Sequence, residues 1–205
     1  MDNYKWQQYL RVEHEDYSGS CEVDEGARGQ HMELINMMPH GEYVLDIGCG
    51  TGWSTVQLAK KYTYAMGISI QDAEIDYAIN THYKDTGNVV YRVMDMHELD
   101  YFDKYFDAVY MRECLEHSIA PFIALAEANR VLKLGGHIMV NTPPVVEWSN
   151  WHCHYIVPTP EQLKALLSKC GFMIEKTGIG TGGHNWALAF KTNDVEFKTN
   201  GQEHI

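Results

Sequence analysis

The sequence predicts an α/β domain with a doubly wound, mostly parallel seven-stranded sheet and an antiparallel last strand. Three observations carry this expectation. Between residues 43 and 142, short apolar runs bounded by turn residues alternate with longer segments of helical period, the alternation that builds a parallel sheet. The first apolar run ends in a glycine turn directly before a helix, the place where open α/β sheets take their ligands. Near the carboxyl end two strand-like runs are separated only by a glycine-rich turn, which implies an antiparallel pair.

The elements follow in chain order. Residues 1–40 are polar and rich in Tyr and Trp, and end in a helix expected from Gln30 to Met38. They form an arm rather than a domain, and Tyr4, Trp6, Tyr9 and Tyr17, with Arg11 and Glu13 among them, make it a candidate lid. Simple packing on the sheet is the plainer alternative. The domain proper spans 41–191. Its strands are expected at Tyr43–Ile47, Thr63–Ile68, Asn88–Val93, Asp107–Met111 and Gly136–Asn141, all reading as buried central strands. A helix runs from about Pro121 to Lys133, broken by Gly135-Gly136. Residues 160–170 are the best-marked helix: Thr159 caps it, Pro160 opens it, Gln162 completes a capping box and Gly171 ends it. Met173–Gly178 and Asn185–Lys191 supply the final strands, and residues 192–205 read as a frayed tail.

Composition narrows the function classes. The chain has 205 residues, of which 45% are hydrophobic and 21% charged, so it buries a core and is neither disordered nor fibrous. Its 16 basic and 28 acidic residues leave a net charge of −12, which disfavours a phosphate backbone as partner. Neither a run of about 18 apolar residues nor a signal-peptide pattern is found, so a cytoplasmic protein without membrane contact is expected. Cys21, Cys49, Cys114, Cys153 and Cys170 are odd in number and widely spaced, and are expected as reduced thiols.

Tyr43-Val44-Leu45-Asp46-Ile47-Gly48-Cys49-Gly50-Thr51-Gly52 is the strongest signal in the chain. Three glycines let a ligand lie against the backbone where any Cβ would collide, and the amide donors of the loop are expected to face that ligand. A dinucleotide loop would carry its third glycine one residue later, so that a helix amino terminus meets a pyrophosphate. Here Asp46 precedes the glycines, and a carboxylate suits an ammonium or sulfonium better than a diphosphate.

At this point the chain resembles the class I S-adenosylmethionine-dependent methyltransferases. Val44 to Gly52 is similar to the family's first motif, Phe106-Asp107-Ala108-Val109-Tyr110 to its fourth strand, and Leu115-Glu116-His117 follows at the family spacing. Glu127 to Gly136 resembles the helix and turn before the fifth strand, and His154 to Leu163, ending at Cys170-Gly171-Phe172, the next helix with its entry. The resemblance implies S-adenosylmethionine as cofactor. It implies that Gly48 and Gly50 line the cofactor's methionine part, that Cys49, Thr51 and Gly52 of the same loop are also cofactor-binding, and that Asp46 orients the loop and the cofactor's ammonium. Asp95 and Met96 match the place that holds adenine, Asp95 as a plain loop cap being the alternative. Ser69 stands where most of the family has an acid for both ribose hydroxyls, so Ser69, Ile70 and Gln71 are expected to replace it. Leu134, where the family commonly has proline, affects only how sharply a helix stops.

In-line methyl transfer needs alignment more than covalent help. For an oxygen acceptor a base of near-neutral pKa would assist, which makes His117 and His154 candidates, with Glu113 and Arg112 bordering cofactor or substrate. A structural hydrogen bond is the alternative for each imidazole, and a surface ion pair for Glu113 and Arg112. Glu147-Trp148-Ser149-Asn150-Trp151-His152-Cys153-His154-Tyr155 is expected to wall the acceptor pocket. No metal is expected there, because neighbours in an extended stretch point to opposite sides and no full ligand set is evident. Asn141-Thr142-Pro143-Pro144 is not a base-methylating signature, since it follows the fifth strand and not the fourth. The expected function is methyl transfer to oxygen or nitrogen of a small, cationic or neutral acceptor by a monomer or homodimer. A catalytically silent binding module and an NAD-dependent oxidoreductase are the alternatives, the latter disfavoured by the glycine spacing and by Ser69.

Overall fold

The computed structural model describes residues 25–146 and 153–195. The arm up to residue 24, with the aromatic residues of the candidate lid, lies outside the described residues. So do residues 147–152, including His152, and 196–205.

Seven strands form one sheet, and the chain alternates between its two faces. Helix α1 (Glu25–Met37) leads into β1 (Gly41–Ile47), α2 (Trp53–Leu58), β2 (Tyr62–Ser69), α3 (Asp72–Thr86) and β3 (Val89–Val93). Then come β4 (Phe106–Arg112), a single 3-10 turn (Leu115–His117), α4 (Pro121–Val131) and β5 (Leu132–Thr142). Helix α5 (Pro160–Lys169) precedes β6 (Phe172–Ile179) and β7 (Asn185–Lys191). The strand order is β3-β2-β1-β4-β5-β7-β6. Strands β1 to β5 pair in parallel, while β7 pairs antiparallel to both β5 and β6. The order reverses between β1 and β4, which opens a crevice at the carboxyl ends of the strands.

Alternation along the central strands divides the core between the two faces. Leu45, Ile47, Val109, Met111, Ile138 and Val140 pack with residues of α4 and α5 on one side. Val44, Ala65, Ala108, Tyr110 and Met139 pack with Leu34, Ile35 and Met38 of the α1 region on the other. Each fully buried aliphatic side chain contributes about 1.5–3 kcal/mol, so the two layers hold the crevice rigid from below.

Four sequence expectations require correction. Strand β3 is not central: it is the sheet edge, and its residues alternate between buried and exposed. Helix α4 stops at Val131, two residues short of Lys133, because Leu132 takes extended backbone, is fully buried and pairs with Phe106 as β5 begins. Helix α1 starts at Glu25, ahead of the expected Gln30. The first residues of the supposed tail are anchored: Asp194 pairs with Lys191 at 2.7 Å and with Lys104 at 2.9 Å. The capping box of α5 forms as read, with Gln162 N donating to Thr159 Oγ1 at 3.2 Å and Thr159 N donating to Gln162 Oε1 at 2.9 Å.

Candidate active site

A cavity of about 260 Å³ lies over the carboxyl ends of β1, β2 and β4, a size that suits one small organic ligand. Its floor is the glycine loop between β1 and α2. Gly50 has φ +52°, and a Cβ built there would find its nearest neighbour, Glu74 Oε1, 3.9 Å away, so the backbone at Gly50 faces open space. Gly52 is different. It caps α2 with φ +86°, and a Cβ there would meet the Tyr91 ring at 2.7 Å and Ala78 at 2.8 Å. Gly50 is thus bare for a ligand and Gly52 for packing, and Gly52 does not line the cavity.

The loop's amides depart from expectation. Gly48 N and Cys49 N both donate to the Ile68 carbonyl at 2.9 Å, and Gly52 N donates to Cys49 O at 2.9 Å. The first two bonds fix the loop to β2, the third closes the loop on itself, and all three donors are unavailable to a ligand. Asp46 is also repositioned. Its carboxylate is 1% exposed, does not line the cavity, and accepts from Ser54 Oγ and Thr55 Oγ1, both at 2.6 Å. Burial pushes its pKa up to about 6, against the two hydroxyls, which pull it down. Asp46 therefore ties the first turn of α2 to β1, and any ammonium in the cavity must be met by other groups.

Two carboxylates replace it on the cavity wall. Glu74, in the first turn of α3, accepts from Ser69 Oγ at 2.5 Å, while Gln71 N donates to the same Ser69 oxygen at 3.2 Å. Burial raises the Glu74 pKa and the Ser69 hydroxyl draws it back. The acid absent from the end of β2 is thus supplied five residues later, at a helix amino terminus that favours its charge. Sequence reading missed it; an acid at the third position of the following helix was the available signal. Asp95 caps its loop with one oxygen and leaves the other without a partner among the described residues. Its Oδ1 accepts from His97 N at 2.9 Å and His97 Nδ1 at 2.7 Å, while Oδ2 is buried. An orphaned carboxylate oxygen in a cavity wall needs an external donor, and Met96 beside it offers a soft apolar surface. Ser69, Ile70 and Gln71 line the same wall.

The opposite end is built on β4. Arg112 Nη1 donates to His31 Nε2 at 3.2 Å and Arg112 Nη2 to Gln30 at 3.0 Å. With Nε2 accepting, His31 carries its proton on Nδ1 and donates to the Tyr110 hydroxyl at 2.9 Å. Burial, and then the Arg112 charge, lower its pKa to about 3, so it is neutral. Glu113 takes left-handed backbone at φ +48°, held by its amide on the Asn141 carbonyl at 2.9 Å. That geometry aims its side chain at His184 Nε2, 2.7 Å away, with Arg112 at 3.2 Å. His184 Nδ1 donates to the Thr181 carbonyl at 2.9 Å. The Glu113 carboxylate beside Nε2 favours the charged form of His184. The Glu113 bond raises its pKa; burial pushes Glu113 up but is outweighed by His184 and Arg112, so Glu113 is held low. A carboxylate so stabilised is a weak base, and Glu113 is better read as a positioning residue.

Of the two candidate imidazole bases, His117 lines the cavity and His154 does not. They pack edge to face with ring centroids 5.0 Å apart. His31, Trp53, Glu74 and His97 line the cavity without having been read from sequence as site residues. No helix among the described residues is long and apolar enough to cross a membrane.

Comparison with known proteins bears on this geometry. Residues 45–140 match the family model described as a methyltransferase domain. The chain is 31% identical over 153 residues to O-methyltransferase rstn1 of Aspergillus nomiae, covering 68% of each chain. It is 27% identical over 158 residues to an O-methyltransferase of Pyrenophora dematioidea, covering 70% of this chain and 59% of that one. It is 30% identical over 151 residues to 27-O-demethylrifamycin SV methyltransferase of Amycolatopsis mediterranei, covering 71% and 52%. The chain thus spans between about half and two thirds of the length of these relatives. In fold it is similar to N-methyltransferase NodS of Bradyrhizobium japonicum, solved with S-adenosyl-L-homocysteine, at TM-score 0.74 and 17% identity over 91% of this chain and 98% of that one. The [4+2]-cyclase SpnF superposes at TM-score 0.69 and 21% identity, covering 81% and 82%.

Proposed function

This chain belongs to the class I S-adenosylmethionine-dependent methyltransferases, and from that premise we propose that it methylates a hydroxyl oxygen, or less favourably a nitrogen, of a small-molecule acceptor. The observation that carries the reading is the pair of cavity carboxylates flanking the bare Gly50 backbone: Glu74 held by Ser69, and Asp95 with one oxygen unspoken for. Their chemistry fits the ribose hydroxyls and the exocyclic amine of an adenosyl group, each of which donates hydrogen bonds. S-adenosylmethionine supplies, when bound, a methyl carbon made electrophilic by its sulfonium.

The chain's own residues do the rest. Gly50 admits the ligand to the backbone, and Met96 and Ile70 flank its flat part. Arg112 lines the acceptor end, where its guanidinium lowers the cost of ionising a hydroxyl beside it. That favours an acceptor that becomes anionic on reaction, such as a phenol, over the cationic acceptor expected from the net charge alone. Names of the curated relatives, two of them O-methyltransferases and a third a 27-O-demethylrifamycin SV methyltransferase, support oxygen as acceptor. The surplus of acidic residues supports action without nucleic acid, and the four buried cysteines outside any disulfide among the described residues support a cytoplasmic setting.

Incubation with methyl-labelled S-adenosylmethionine and a panel of phenols, carboxylates and amines tests the reading. Label transfer to a phenolic oxygen with stoichiometric release of S-adenosylhomocysteine is expected. Cofactor binding without transfer to any acceptor would favour the silent module, and no binding would remove both.

A further inference from the structure

The 3-10 turn after β4 and the loop before α5 are joined by backbone bonds, Tyr155 N and Ile156 N both donating to the Glu116 carbonyl at 2.8 and 3.3 Å. This junction brings together three side chains that are far apart in sequence. One donor atom each from His117, Cys153 and His154 lies within 4.8 Å of the other two, with the thiol buried and both imidazoles half-buried. The sequence argument against a metal assumed an extended stretch in which Cys153 and His154 point apart. Instead the chain turns at Cys153, and the third donor arrives from the 3-10 turn after β4.

His117 Nδ1 lies 3.1 Å from the Cys153 carbonyl oxygen. A carbonyl only accepts, so the proton is on Nδ1 and the lone pair on Nε2. Metal-binding imidazoles are fixed in this way, by donating their other nitrogen to a carbonyl or carboxylate. Two imidazoles and a thiolate form a borderline-soft donor set, which selects a Zn²⁺-type ion over Mg²⁺ or Ca²⁺. Three protein donors also leave one position of a tetrahedral ion open. His117 lines the cavity wall, which sets the three donors beside the cavity.

We propose that His117, Cys153 and His154 bind one divalent transition-metal ion of the Zn²⁺ class at the rim of the cavity. The use of the ion rests on the methyl-transfer reading above: it would take the acceptor's hydroxyl oxygen as fourth ligand and, by lowering its pKa, release its proton to solvent. His117 then serves as a ligand and not as a base.

The test uses the full chain, stripped of metal with a chelator and titrated with Co²⁺. One equivalent is expected to produce a thiolate-to-cobalt charge-transfer band and the ligand-field bands of a four-coordinate site, both displaced by one equivalent of Zn²⁺. Cys153→Ser should abolish the charge-transfer band, and Cys170→Ser should leave it. His117→Ala and His154→Ala should each weaken Zn²⁺ by at least about tenfold, the loss that removal of a mere supporting partner can cause. Circular dichroism of each variant verifies that it is folded. Should a folded alanine variant prove unobtainable, the Cys153→Ser and Cys170→Ser spectra decide. Absence of the band in the wild-type chain, or its survival in Cys153→Ser, overturns the site. Calorimetry with S-adenosylhomocysteine on the metal-free chain reports separately on the methyl-transfer reading, so the two can fail independently.

Discussion

Asp46 was legible in the sequence as an important acid, but its task was not. Two hydroxyls eight and nine residues further on turn its carboxylate away from the cavity, and only the start of α2 puts them there. Its native pKa of about 6 lies above the 3.8 of an unperturbed aspartate, so the unfolded chain loses this proton first as pH rises. Through that window the folded state binds more protons, and this group makes stability fall with rising pH. Asp46→Asn keeps an acceptor for both hydroxyls and should remove that slope in denaturation midpoints measured between pH 4 and 6. Asp46→Ala strands the hydroxyls and should cost about 1–3 kcal/mol of unfolding free energy. The Glu113–His184 pair behaves oppositely at its two ends. Glu113's contribution is present above its unfolded pKa and fades as pH falls through its lowered native value. His184's is present below its unfolded pKa and fades as pH rises through its raised one. Histidine resonances followed by NMR should show His184 titrating above a free imidazole, and the elevation should vanish in Glu113→Gln.

Elements with local signatures could be read directly. The α5 capping box and the β1-glycine-α2 turn are encoded by neighbouring residues, and both form where expected. Edges and ends were harder. Strand β3 has the Val and Tyr content of a central strand, and its place at the sheet edge is set by pairing order, to which local sequence is blind. Glu74 escaped notice because the acid was sought at the strand end, whereas α3 returns it to Ser69 from one helical turn further on. Likewise, His117 and His154 were recognisable singly, but their meeting with Cys153 depends on loop closure across the sheet end. Gly52 offers a test at this scale. Gly52→Ala must accept φ +86° and place a Cβ against Tyr91 and Ala78, and thermal or urea unfolding should register a loss of about 2–4 kcal/mol.

Across the whole molecule, charge is divided by function. The part of the cavity wall that follows β2 and β3 presents Glu74 and Asp95, while the part that follows β4 presents Arg112 paired with Glu113. An acidic half suits a cationic donor, a local arrangement that a net charge of −12 for the whole chain does not reveal. The central claim is that the acidic half binds the adenosyl group. Isothermal titration of the full chain with S-adenosylmethionine, repeated on Glu74→Gln and on Asp95→Asn, tests it most directly. One site per chain is predicted, with affinity about 10- to 100-fold weaker in each variant, as expected for loss of a charged hydrogen bond. No binding to the wild-type chain, or unchanged affinity in both variants, would contradict it.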